Sequence, residues 1–209
     1  MLCRLLRSGF RGKTATMYLT DTYLKNFWIA LKTFAYTILF FYSHPSLVLV
    51  SLVPSSLRAF QMSQHLATPW WMEAVVGLAR VGLFLLIIVR LSKSEIRALN
   101  DKTYWERLGK KASKVLASTW PKIFIAQLIV FIVCLYGLMN LLILAIVDHS
   151  LSTVMGWFST ADNDPEAFAN AYLFFLKNMS VIPLSMVHML KMLGVGVSNA
   201  NLMPLGDLS

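Results

Sequence analysis

Four polar side chains stand inside stretches that are otherwise apolar: His44, Arg80, Asn140 and Lys177. An ionisable group in a hydrocarbon layer costs about 2.5–3.5 kcal/mol on insertion scales, so each needs a partner or a task. The four lie at similar depth from one end of their stretches, and no carboxylate shares that depth, because Glu73 and Asp148 both fall at the boundary. In helices packed side by side they form one polar layer, in which Arg80 and Lys177 can take an anion: a phosphate or carboxylate of a lipid or solute, or an acidic residue on a partner's helix. The plain alternative is internal satisfaction, with Arg80 reaching Glu73 or Asp148 and Lys177 snorkelling to the headgroups. Lys32, near the end of its stretch, snorkels in either case.

Spacing sharpens this layer. Glu73, Gly77 and Arg80 share one helical stripe at i, i+4 and i+7, and Lys177, Ser180, His188 and Lys191 share another. Both stripes are expected to face protein, which makes Glu73, His188 and Lys191 supporting residues.

Other constellations carry no chemistry. There is no zinc-protease, nucleophile-elbow or phosphate-loop motif. Asp148-His149-Ser150 resembles a triad on paper, but neighbours on one helix point in different directions. His65 is isolated in a loop, and Gly194-Val195-Gly196 follows an apolar run rather than a strand, so it reads as a helix end. Cys3 and Cys134 have no metal spacing, and Cys134 reads as a small buried hydrophobe. Met179, Met186, Met189 and Met192 spread around their helix, which suits adaptable packing rather than a metal path. The expectation is a non-enzyme without metal or cofactor.

The elements that must position the polar layer follow from composition. Of 209 residues, 57% are hydrophobic and 14% charged, and the mean hydropathy is +0.62. Soluble chains run at about 45–50% apolar and about 25% charged, so a soluble enzyme, a disordered chain and a disulfide scaffold are excluded. The expected fold is an all-α membrane bundle of four spans, at 27–53, 70–91, 123–147 and 168–193. Each reaches the ~20 apolar residues that cross a bilayer. The first would be about 40 Å long as one helix. Ser43-His44-Pro45 therefore predicts a kink, with an interfacial piece followed by a re-entrant piece as the rival. Pro183 should bend the fourth span. Asn178-Met179-Ser180 matches a glycosylation acceptor, but inside a span it is unreachable.

Three regions result: a basic segment 1–26, the transmembrane domain 27–193 and a flexible tail 194–209. Within the domain, 92–122 is a basic connection, with eight lysines and arginines against three acids. The net charge of +9 thus sorts to this connection and the amino terminus, while the connection after the third span carries only acids. Positive charge favours the cytoplasm, so both termini are expected there. A bacterial cytoplasmic membrane fits. The acid-free, arginine-bearing first residues also have the composition of a transit peptide, leaving the mitochondrial inner membrane as the alternative and Met17 as a possible start.

Between Thr103 and Trp120, apolar residues recur at three- and four-residue intervals opposite Arg107, Lys110, Lys111 and Lys114. This predicts an amphipathic helix lying against anionic headgroups, with Trp105 and Trp120 at its ends. Its sharper version is a docking helix for a cytoplasmic partner. The function expected is that of a non-enzymatic accessory or regulatory subunit that binds membrane components: lipid, a partner membrane protein or a second copy, and no nucleic acid. Gly77 and Gly82 offer a small-residue groove for such assembly. The alternative is a small carrier for an anionic or lipid-like solute using Arg80 and Lys177, although no inverted repeat supports it.

Overall fold

The computed structural model describes residues 23–63, 69–157 and 164–196. The basic leader up to residue 22 with Cys3 and Met17, the loop residue His65, and the tail beyond residue 196 lie outside the described residues. Among these the chain is helical throughout, with no strand. We number the helices α1 (Tyr23–Tyr42), α2 (Pro45–Ser63), α3 (Trp70–Ser92), α4 (Lys102–Thr119), α5 (Lys122–Trp157), α6 (Pro165–Met179) and α7 (Val181–Met192). A short 3₁₀ turn, Ile96–Asn100, joins α3 to α4.

Three helical stretches are long and apolar enough to cross a membrane: α3, α5 and the pair α6–α7. The pair α1–α2 makes a fourth if its two arms count as one span. Those arms meet at 83°, far beyond an ordinary proline kink. Pro45 has no N–H for the Phe41 carbonyl, so the His44 amide takes that carbonyl instead at 3.3 Å. The Phe40 carbonyl, orphaned by the same shift, accepts from Ser43 Oγ at 3.0 Å and from His44 Nδ1 at 2.7 Å. Helix then resumes to Ser63, ten residues past the expected end at 53.

Pro183 acts similarly but upstream of itself. It cannot bond the Met179 carbonyl, and the helix breaks at Ser180 (φ −126°, ψ −69°) to separate α6 from α7. α5 runs 36 residues, about 54 Å at about 1.5 Å per residue. In its middle, Phe131–Leu138 is wound as a π-helix, with the Met139 N–H reaching back to the Cys134 carbonyl.

The core gathers Phe41, Leu47, Leu83, Ile87, Leu135 and Leu184, each at most 1% exposed. Around it the molecule is apolar on the outside too. Leu78 and Val81 of α3, and Ile132, Val133, Leu141 and Leu142 of α5, are all more than half exposed. Exposed apolar side chains of that kind accord with helices long and apolar enough to cross a membrane.

Candidate functional site

A cavity of about 590 Å³ opens among α2, α3, α5, α6 and α7. Three cations line it: Arg58 from α2, Arg80 from α3 and Lys177 from α6. Three side-chain amides, Gln61, Asn140 and Asn178, and the ring of Tyr136 complete its polar wall, while Met62, Phe174, Val181 and Ile182 supply an apolar one. No acid lines it. Tyr136 and Met62 are 52% and 37% exposed, so the cavity meets the molecule's apolar exterior at their side.

The expected polar layer is thus assembled in three of its four members. Arg80, Asn140 and Lys177 converge, whereas His44 does not line the cavity. His44 caps the end of α1 and packs at a tilt against the Phe40 ring at 4.4 Å, which accounts for it locally.

Partners inside the cavity differ from those expected. Glu73 is bound by Arg58 through a two-point ion pair, Nη1 donating at 2.6 Å and Nη2 closing the second contact. Arg58 also donates to Gln61 Oε1 at 3.0 Å. Arg80 instead donates from Nη2 to Asn178 Oδ1 at 2.8 Å. Asn178 is held for this by donating its Nδ2 to the Phe174 carbonyl, one turn back, at 2.8 Å. Arg80 Nε and Gln61 Nε2 are buried without hydrogen-bond partners among the described residues. Lys177 forms no ion pair among them either. An unmet buried donor costs about 1–3 kcal/mol, more when charged. The cavity therefore presents two unmet donors, Arg80 Nε and Gln61 Nε2, and the charges of Arg80 and Lys177 without an ion-pair partner among the described residues.

The π-turn of α5 belongs to this site. Extra winding displaces the carbonyls of that segment from their usual amides, and Asn140 Nδ2 donates to the Tyr136 carbonyl at 2.7 Å. The same turn carries both Tyr136 and Asn140 to the cavity wall.

The supporting residues lie elsewhere. The break at Ser180 interrupts the stripe from Lys177 to Lys191. His188 is fully buried at the crossing of α1 and α7, stacked on Phe131 at 5.4 Å and near Thr37 Oγ1 at 3.4 Å. Lys191 Nζ lies 3.9 Å above the Tyr36 ring, a contact that satisfies a cation without an acid. Gly77 and Gly82 face open space. Asp148 and His149 line a separate shallow recess.

The amphipathic helix is present as expected, capped by Asp101, whose carboxylate accepts from the Thr103 amide and hydroxyl at 2.9 and 2.6 Å. Its apolar face, however, is largely covered by the chain itself. Val115 is 5% exposed and lies so close to Gly194 that a Cβ there would meet it at 2.5 Å. Tyr104 and Leu108 pack against the core. Arg107, Lys110 and Lys114 remain exposed, Lys111 is partly buried, and Trp105 and Trp120 are 38% and 62% exposed. What α4 offers to a membrane or partner is its basic face and its tryptophans.

Arg58, Gln61 and Asn178 were not anticipated at the site. Arg58 and Gln61 lie past the point where the first apolar stretch loses its hydrophobicity, and Asn178 reads in sequence as a glycosylation acceptor. The spacing of Arg58 and Gln61, i and i+3 on one face, is the signal that helical continuation would have exposed. Comparison of the chain with protein-family models, with curated proteins and with solved structures gives no match.

Proposed function

We propose that this chain is a non-enzymatic integral membrane protein that holds an anionic group of another membrane component in the Arg80 cavity, acting as an accessory or regulatory subunit. One observation carries the reading: Arg80 and Lys177 share a cavity that no acid among the described residues lines, and the Arg80 Nε has no hydrogen-bond partner among them. A bound oxyanion would meet these donors at once and offset the cost of placing them at membrane depth. The apolar rim suits a ligand that arrives through the hydrocarbon layer, either a lipid phosphate or the carboxylate of a partner's helix.

Charge distribution supports a bacterial cytoplasmic membrane with both termini inside and the Arg80 cavity in the outer half. A photoreactive amino acid in place of Phe174, at the cavity wall, should crosslink in native membranes to a lipid or a membrane protein. Arg80→Gln with Lys177→Gln should reduce that product about tenfold or more, because hydrogen bonds to a charged group are worth about 1.5–3 kcal/mol. An unreduced crosslink in a folded double variant overturns the proposal. Net movement of an organic anion by the purified protein in sealed vesicles would replace the accessory role with the carrier.

A further inference from the structure

The ends of α3 and α7 close with the same turn. In each, an amide just past the helix reaches the carbonyl five residues earlier: Ser94 to Val89 at 3.1 Å, and Val195 to Leu190 at 2.9 Å. The residue at the bend is left-handed in both, Gly194 with φ +76° and Lys93 with φ +54°. Glycine is the unstrained choice there, because a Cβ crowds the following carbonyl. α7 uses it; α3 retains a strained lysine.

That lysine stands at the mouth of a second cavity, about 680 Å³, between the end of α3, the 3₁₀ turn, α4 and Gly196. Lys93, Arg107 and Lys111 are its cations, and no acid among the described residues lines it. Its walls are fixed from within. Ser92 Oγ donates to the Ile88 carbonyl at 2.7 Å and lies 2.8 Å from both Tyr104 OH and Ser94 Oγ. Gly196 presses its backbone on the Leu91 carbonyl, where a Cβ would come within 2.4 Å. Arg107 donates its Nε to the Thr103 carbonyl at 3.3 Å and has Asp101 4.0 Å away, both side chains of that pair at least half exposed, so its terminal nitrogens can turn toward a ligand.

We propose that this second cavity binds the phosphate of an anionic lipid headgroup, with Lys93, Arg107 and Lys111 as its contacts. Three features favour a lipid over a dissolved phosphate. The cavity lies at the end of an apolar helix long enough to span a bilayer. Leu91 and Leu108 line it beside the cations. The exposed Trp105 and Trp120 on the adjoining helix suit the interfacial layer. The left-handed backbone at Lys93, unusual for a residue other than glycine, thus coincides with a proposed ligand contact. The site is independent of the Arg80 cavity.

The test uses the full chain in detergent, titrated with short-chain phosphatidic acid, short-chain phosphatidylcholine and inorganic phosphate, with binding and thermal midpoint both read. Phosphatidic acid should bind more tightly than phosphatidylcholine. Lys93→Gly, which removes charge and strain together, should weaken phosphatidic acid binding about fivefold while leaving the unliganded midpoint unchanged or higher. Arg107→Gln should weaken binding in the same direction, and both effects should persist in an Arg80→Gln background, which removes any contribution of the other cavity. Unaltered affinity in the Lys93 and Arg107 variants overturns the site, as does an equal response to phosphatidylcholine. Inorganic phosphate matching phosphatidic acid in affinity overturns the lipid assignment.

Discussion

Arg80 shows how little a residue's neighbours in sequence say about its partners. Glu73 lies on the same stripe of α3, yet its carboxylate is engaged by Arg58 of α2, and Arg80 is bonded by Asn178 of a helix distant in sequence. The ion pair forms where α2 and α3 run side by side, so the acid nearest in sequence is lost to the guanidinium nearest in space. At the same scale, two glycines are required rather than merely tolerated. Gly196 combines a φ of +75° with a Cβ position 2.4 Å from the Leu91 carbonyl. Gly196→Ala should therefore destabilise the fold by about 1–2 kcal/mol for the left-handed backbone, with crowding adding about 1–3 kcal/mol. Thermal unfolding in detergent measures this, and a variant as stable as the parent would show that the contact relaxes freely.

Helix ends and breaks do most of the positioning at the scale of elements. Two prolines act through the hydrogen bonds they cannot make, Pro45 by turning α1 away from α2 and Pro183 by releasing the joint at Ser180 that places Lys177 and Asn178 on one arm and Val181 on the next. α4 is set by its cap. The hydrogen bonds from the Thr103 hydroxyl and amide hold the Asp101 carboxyl below the usual carboxylate range. Because the folded value is the lower one, the cap's contribution is complete above the unfolded carboxylate value and is lost as pH falls through the folded value. Amide exchange at the first turn of α4 should therefore accelerate toward acid pH in the parent. Asp101→Ala should exchange fast at all pH values, and Asp101→Asn should stay protected without the pH dependence. Equal protection in the alanine variant at neutral pH would show that packing of Val115 and Leu108 alone holds the turn.

For the whole molecule, the arrangement is that of a bundle whose apolar residues are divided between a small core and a large exterior. The window of α5 that best fits a span has only 22% of its residues buried, against 44% for α6–α7. α5 therefore lies at the periphery, with most of its apolar surface left uncovered by the described residues. Orientation is testable at this scale. With Cys3 replaced by serine and Cys134 buried, single cysteines at Lys110 and Glu166, both exposed, should react with an impermeant maleimide from opposite faces of sealed vesicles. Labelling from one face would discard the bundle topology with 92–122 inside and the acidic connection outside.

Helix content, the run of apolar stretches and the amphipathic α4 were all legible in the residues, because each rests on local periodicity and on the need to satisfy backbone groups within the segment. Arg80, Asn140 and Lys177 were legible as a group because polarity at a shared depth is also a one-dimensional property. The tertiary structure alone decided that His44 serves as a helix cap, that Glu73 pairs with Arg58, that α2 continues far enough to bring in Gln61, and that the apolar face of α4 is covered by the end of α7. The Glu73 pairing and the covering of α4 depend on which helices meet and at what angle, set by packing of side chains far apart in the chain, whereas the His44 cap follows from the local hydrogen bonds that Pro45 breaks.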